Sequence, residues 1–473
     1  MSNNTDNLAK LDNWQEWHES KKSMLSFNVG SFAIELVQNA FAGLYFFFYE
    51  TELLLPGIFL LLANVLFAIW NAVNDPLLGY LIEKPRKYWN KWGKRFPWLT
   101  ISLFPVYICY FLLFAPPRGL GHVALFLWMF VMLAIADTFY SIFHISWAAM
   151  FPEKFRNDDA RRKANVYKLI FGILSIIVGF LIPPQIYEFD NIASYALMGG
   201  VMAVIGCVAG ILVIPGVRED PARKAQEIAA GRVKQTPFFE SLKIGIHNKA
   251  FLAYLILYFS SKTWDIFVLG STPYYAKWIL GVPANELTFI YIAVILGVFS
   301  AVPVFTAISK KIGFRKTAVI GGLTEAFCTI PLLFVRDATT SLIFFFIVGF
   351  GNGAMWVMFS PILSEALDSI SVETGKRDSS VFVGINVFFG RLTIIIFTVL
   401  VVYIHAVTNF NPAAEVGKGM QNPLADLGIL FTIAVIPVIS TAIGSLLFWK
   451  LYDIKGEKKI WLEEQLRAKD LHK

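Results

Sequence analysis

Apolar runs of roughly 20 residues follow one another along this chain, separated by short polar connections. Twelve can be traced, near 25–50, 54–82, 98–116, 122–151, 165–187, 193–215, 250–278, 285–308, 318–335, 340–366, 380–406 and 426–450. Each is long enough to cross a hydrocarbon core of about 30 Å as a helix. The pattern predicts an all-α integral membrane protein with 12 transmembrane helices. The one long polar connection, 217–249, divides the runs six and six. It predicts a tail over 1–23, a six-helix bundle over 24–216, a linker over 217–249, a second six-helix bundle over 250–450 and a tail over 451–473.

The connections differ sharply in charge. One set is basic: Lys84, Arg86, Lys87, Lys91, Lys94 and Arg95 after the second run; Lys154 to Lys168 with Arg156, Arg161, Arg162 and Lys163 after the fourth; 217–249; Lys310 to Lys316; and Lys376 with Arg377. The alternate set, such as 51–55 and 185–194, carries few or no Lys or Arg. Basic loops stay on the cytoplasmic side, so both termini are expected there, in the plasma membrane. Residues 1–23 hold no apolar stretch ahead of a cleavage site and do not read as a signal peptide. The basic turn Ser309 to Val319 follows the eighth run as 84–95 follows the second, which suits two parallel six-helix repeats with a site between them at mid-membrane.

Composition removes whole classes of function. With 56% hydrophobic residues and 16% charged, against about 25% in soluble proteins, the chain has no wettable globular surface. The net charge of +7 lies in loops and is accounted for by orientation, so no nucleic-acid partner is expected. Cys109, Cys207 and Cys328 stand singly in apolar runs and form no metal-ligand spacing. The six histidines are scattered, with no HExxH and no nucleophile beside a base, so neither an enzyme nor a bound cofactor is expected.

Polar residues inside the runs are the candidates for chemistry. On the second run Asn64, Asn71 and Asp75 are spaced by seven and four and share one helical face, with Asn74 beside them; on the fourth, Asp137, Ser141 and His144 do the same. A lone membrane Asn or Ser is commonly interhelical glue. A carboxylate costs about 2.5–3.5 kcal/mol on insertion scales, so Asp75 and Asp137 point to binding. Glu35, Glu325 and Arg391 lie singly in the first, ninth and eleventh runs. Lys262 and Asp265, three apart in the seventh, either neutralise each other across one turn or serve a site. The roles of Lys262, Asp265 and Glu325 stay open from sequence. Trp147, Tyr274, Tyr275 and Trp356 are candidates for stacking on a substrate ring, or for packing.

The strings NDPLLGYL with its basic linker, WGKRFPWL, SWAAMFPE, DARRKANVYK and ETGKR together resemble the glycoside-pentoside-hexuronide:cation symporters of the major facilitator superfamily, typified by melibiose permease. The resemblance covers both halves and is more specific in the first. It implies the major facilitator fold, two six-helix bundles working by alternating access, and a sugar taken up with Na⁺, Li⁺ or H⁺. Carried over position by position, the cation site falls on Asn71, Asn74, Asp75, Ser141 and His144, where Asn71 and His144 replace family carboxylates, with Asp137 a further acid nearby. The sugar-contacting acid of the first span falls on Glu35 when the segment is aligned without gaps up to Tyr49, or near Ser31 as in other family members; the basic residue of the fifth falls on Lys168 and the lysine of the eleventh on Arg391. Trp147 and Trp356 join them as substrate residues, and Arg95, Arg161 and Arg377 are expected to latch the cytoplasmic side.

A Na⁺ site needs several hard oxygens and negative charge, and only Asp75 keeps a family carboxylate. The expectation is therefore proton-coupled symport of a sugar or glycoside, working as a monomer, with Arg391 relieving the charge of an empty Asp75; Na⁺ coupling is the alternative. A lysolipid carrier of the same fold and an uncoupled sugar facilitator are the rival readings.

Overall fold

The computed structural model describes residues 20–41, 43–83, 92–155, 158–218, 238–375 and 379–468. Among them, 12 helices are long and apolar enough to cross a membrane. They are α1 (Lys21–Phe41, continuing as Leu44–Phe47 and a π-helical turn Phe48–Glu52), α2 (Gly57–Glu83), α3 (Phe96–Phe114), α4 (His122–Lys154), α5 (Asp158–Leu181), α6 (Ile192–Val213), α7 (Lys249–Tyr274, with a π-helical turn Tyr275–Leu280), α8 (Leu287–Ile312), α9 (Phe314–Thr329), α10 (Ala338–Thr374), α11 (Ser379–Val407) and α12 (Pro423–Leu451). Short helices Phe238–His247 and Glu457–Ala468 flank the second six.

Several helices outrun their apolar runs. α5 begins at Asp158 and α10 continues to Thr374, where Gly375 takes a left-handed conformation (φ 67°) and its amide donates to the Ser371 carbonyl. Hydropathy marks the stretch that crosses lipid, whereas the helix ends where the backbone is capped, here at a glycine free of the Cβ penalty. Asp337 caps the other end of α10 by accepting from the Thr340 amide. Because Thr340 donates to it, Asp337 in its loop is held below the usual carboxylate range.

The chain forms two compact units, one of 1–48 with 62–233 and the other of 49–61 with 234–473. In the first, α1 packs on α4, α5 and α6, and α3 on α4 and α6. In the second, α7 packs on α10, α11 and α12, and α9 on α10 and α12. Adding six to each helix in these first-unit pairs returns the pairs given for the second, the arrangement of a parallel repeat. Outward faces are apolar. Along α2, Ile58, Leu62, Leu66, Ile69, Val73 and Leu77 form an exposed stripe at helical spacing, the face that hydrocarbon would cover.

Candidate functional site

In the first unit the polar stripes of α2 and α4 meet. Both oxygens of Asp137 are engaged: Asn71 Nδ2 donates to Oδ1 at 2.8 Å and Asn74 Nδ2 to Oδ2 at 3.1 Å. Three apart on α2, Asn71 and Asn74 turn their amides to one carboxylate, and both asparagines are buried. Asp75 lies on α2 beside Asn74; its side chain is outside the described residues. One turn along α4 from Asp137, the buried Ser141 hydroxyl has no hydrogen-bond partner among the described residues. His144, exposed a turn further, lies parallel to Tyr140 with ring centroids 5.8 Å apart. The structure thus brings Asn71, Asn74 and Asp137 into direct contact, with Ser141 on the same face. Trp70 fastens the pair, its Nε1 donating to the Ala134 carbonyl at 3.1 Å and to the Thr138 hydroxyl at 3.2 Å.

A second polar group lies on the same unit. Lys168, exposed on α5, holds its ammonium 5.3 Å from the Trp147 ring and 5.8 Å from Phe151, and the Glu35 carboxylate of α1 acts on it electrostatically. A charge facing hydrocarbon is costly, so exposed Glu35 and Lys168 belong on a wetted face. Trp147 is buried, stacks on Phe27 at 5.4 Å and donates its Nε1 to the Phe27 carbonyl at 2.9 Å; Gly30 leaves the room its indole fills. It is a wall of this group, and its indole N–H is spoken for.

In the second unit Trp356 is exposed on α10, with the Lys262 ammonium 5.9 Å from its ring. Arg391 is half-buried on α11 and within electrostatic reach of Tyr258. Lys262 pairs with Asp265 at 2.6 Å. Of the basic gate candidates, Arg95 is buried, Arg161 is exposed with its Nε donating to the Phe155 carbonyl at 2.8 Å, and Arg377 lies outside the described residues. Tyr274 and Tyr275 are sealed by packing, with hydroxyls donated to Glu50 and, at 2.8 Å, to the Val335 carbonyl. As stacking platforms they are out of reach, because their rings are interior walls.

Two groupings were not read from the sequence. Glu50, in the π-helical turn that ends α1, accepts from Tyr274 and lies 2.9 Å from His405 Nδ1, while the His405 ring stacks on Phe410 at 4.0 Å. Asn352 of α10 joins the acids Asp265 and Glu325, which sit on different helices. Their partners are 355 and at most 87 positions apart, so no local spacing could disclose them.

The chain matches the family described as MFS/sugar transport protein over residues 26–456. It is 22% identical over 442 residues to the sodium-dependent lysophosphatidylcholine symporter 1-A of Danio rerio, covering 84% of this chain and 79% of that one. It is likewise 22% identical over 401 residues to the lactose permease of Leuconostoc lactis, covering 78% of this chain and 60% of the permease. The crystal structure of a nucleoside transporter superposes with a TM-score of 0.64 at 13% identity, over 91% of this chain and 100% of that one. With 12 spans, a six-by-six repeat and carboxylates inside the apolar helices, the chain belongs to the MFS/sugar transport family: a multi-pass membrane transporter of the major facilitator fold, not an enzyme.

Proposed function

We propose that this chain is a symporter that draws on a cation gradient to move a sugar or glycoside by alternating access. The observation that carries the reading is the Asp137 carboxylate held by Asn71 and Asn74 across α2 and α4. The sequence argument for protons counted Asp75 as the one family acid left. Asp137 restores the missing charge, and with Asp75, the amide oxygens and the unpartnered Ser141 hydroxyl it supplies hard oxygen ligands suited to Na⁺. The coupling cation of this cluster is therefore Na⁺ in our reading, with His144 at its edge.

For the substrate, Glu35 and Lys168 offer an acceptor and a donor beside the Trp147 ring. A sugar hydroxyl uses both at once. On the second unit Trp356 and Arg391 are assigned to substrate, and Arg95, Arg161 and Arg377 to the cytoplasmic gate. Both termini and 217–249 are taken as cytoplasmic, and the protein as a monomer in the plasma membrane.

A lysophospholipid is the second reading, favoured by the printed substrate of the Danio rerio relative. An aromatic face can hold a choline group and Lys168 a phosphate, but Glu35 beside that ammonium repels a phosphate and is neutral toward a hydroxyl.

The test is uptake into proteoliposomes over a panel of glycosides, uronates and lysophospholipids, with an imposed Na⁺ gradient at constant pH and then an imposed pH gradient at constant Na⁺. Na⁺-driven glycoside uptake that needs far more Na⁺ in Asp137→Asn supports the reading. Uptake driven by the pH gradient alone overturns the Na⁺ assignment, and lysophospholipid uptake with no glycoside uptake overturns the substrate assignment.

A further inference from the structure

We infer that the second unit carries a proton-binding site at Glu325, whose state is passed by Asn352 to the Lys262–Asp265 ion pair. Glu325 lies on α9 with no exposed surface. Its Oε1 accepts from Ser261 Oγ of α7 at 3.1 Å and from Asn352 Nδ2 of α10 at 2.9 Å, and its Oε2 has no hydrogen-bond partner among the described residues. Glycines close the helices around it: a Cβ on Gly351 would press on the Glu325 Cα, and one on Gly322, a turn earlier, would meet Ser445 of α12.

Charge counting says what the site takes. The charged or titratable groups acting on Glu325 are Asp265 and Lys262 of α7, and it acts in turn on the Cys328 thiol of its own helix. From α10 the approach is a neutral amide. The Lys262 ammonium is committed to Asp265 Oδ2 at 2.6 Å, and the Asn352 amide donates both to Asp265 Oδ1 at 2.8 Å and to Glu325. With both acids ionised, Lys262 is matched by Asp265 and Glu325 holds a sealed negative charge in the membrane interior, where an unbalanced charge is costly; Arg391 of α11 acts on Tyr258, beside the Lys262 ammonium. One H⁺ brings the cluster to neutrality. Asp265 has its cation, so the proton goes to sealed Glu325.

The donor set also selects H⁺ over a metal. The Lys262 ammonium already holds the neighbouring carboxylate of Asp265, and Ser261 and Asn352 turn hydrogens toward Oε1, so the cluster does not direct the several free lone pairs that Na⁺ needs. In the protonation step an O–H bond forms on the Glu325 carboxylate at the expense of hydronium, leaving water; release returns the same proton to water, and no other reactant is needed.

The cluster has an accessible edge that could drive the release. The Lys262 and Asp265 side chains are 29% and 17% exposed, against none for Glu325, and the ammonium lies 5.8 Å from the Tyr258 ring and 5.9 Å from Trp356. A solute at Trp356 that displaces Lys262 frees Asp265 to compete for the Asn352 amide, and Glu325 then loses a donor. The inference rests on the chain being a transporter and not on which solute or cation the first unit takes.

The experiment needs no substrate. Full-length protein in lipid nanodiscs is titrated from about pH 5 to pH 10, a window spanning reported buried glutamates, and followed by infrared difference spectroscopy against Glu325→Gln. We expect a carboxylic acid C=O band that is missing in the variant, fades as pH rises, and fades at a pH lower by about one unit or more in Asp265→Asn, where Lys262 is left uncompensated. Absence of any Glu325-dependent band in that window overturns the site. So does a band that neither titrates nor moves in Asp265→Asn, which would make Glu325 a permanently neutral packing acid. If Glu325→Gln does not yield folded protein, Glu325→Asp, which displaces the band in frequency, gives the same decision.

Discussion

The helix pairs α2–α4 and α8–α10 hold matching places in the two repeats and are joined by opposite means. α8 and α10 approach backbone to backbone: a Cβ on Gly297, Gly349 or Gly353 would collide with the carbonyl oxygens of Phe346, Val294 and Val298. α2 and α4 pack Leu78 and Ile82 on Ile142 and add to that apolar contact a set of side-chain hydrogen bonds. They meet through Asn71 and Asn74 on Asp137 and Trp70 on Ala134 and Thr138. Helices in lipid lack a hydrophobic drive to associate and use either small residues or interhelical hydrogen bonds. The first device gives a stiff seam with no room for a ligand. The second leaves polar groups that a cation can recruit, which is why the proposed cation cluster is placed on α2 and α4.

The largest effect is expected from forcing the tight seam apart. Gly349→Val drives a side chain into the Val294 carbonyl and should cost about 3 kcal/mol, at the upper end for overpacking. Thermal unfolding of the purified protein reads it; an unchanged melting temperature would mean the seam yields and the contrast with α2–α4 is false. Next comes Asp137→Asn, which turns two charge-assisted hydrogen bonds into neutral ones. At about 2 kcal/mol, the Na⁺ concentration for half-maximal uptake should rise about thirtyfold, while the melting temperature moves less than in Gly349→Val. A variant that unfolds early with its Na⁺ dependence intact would make Asp137 glue, like the glycines.

Smaller still is Thr138→Val, which removes one of the two acceptors of Trp70 Nε1 and should cost no more than about 1 kcal/mol; a larger loss of melting temperature would show that α2 hangs on that hydroxyl. The smallest effect separates the starts of α4 and α10. Gly121 offers α4 no side-chain cap, whereas Asp337 caps α10 as a carboxylate held below its usual range. A depressed acid contributes stability above its unfolded value and loses it as pH falls through the folded one. Amide exchange at Thr340 should therefore quicken below the ordinary carboxylate range, with no matching change in the first turn of α4.

Much of the fold follows from the chain itself, because crossing a bilayer requires about 20 apolar residues with every backbone group bonded within the segment. Helix number is written in hydropathy, and the faces of α2 and α4 that carry Asn71, Asn74 and Asp137 are written in spacing. The sequence also marked Glu325, Lys262 and Asp265 as costly residues in apolar runs, without a role. Which residues meet was decided by packing. Asp137 found both amides because α2 lies beside α4; Glu325 and Asp265 came to share Asn352 because glycines let α9 and α10 close; Glu50 reached His405 from 355 positions away. Periodicity orders residues along one helix, and it carries no term for the neighbour that helix will choose; that choice rests on shape and on hydrogen bonds that exist once the helices are side by side.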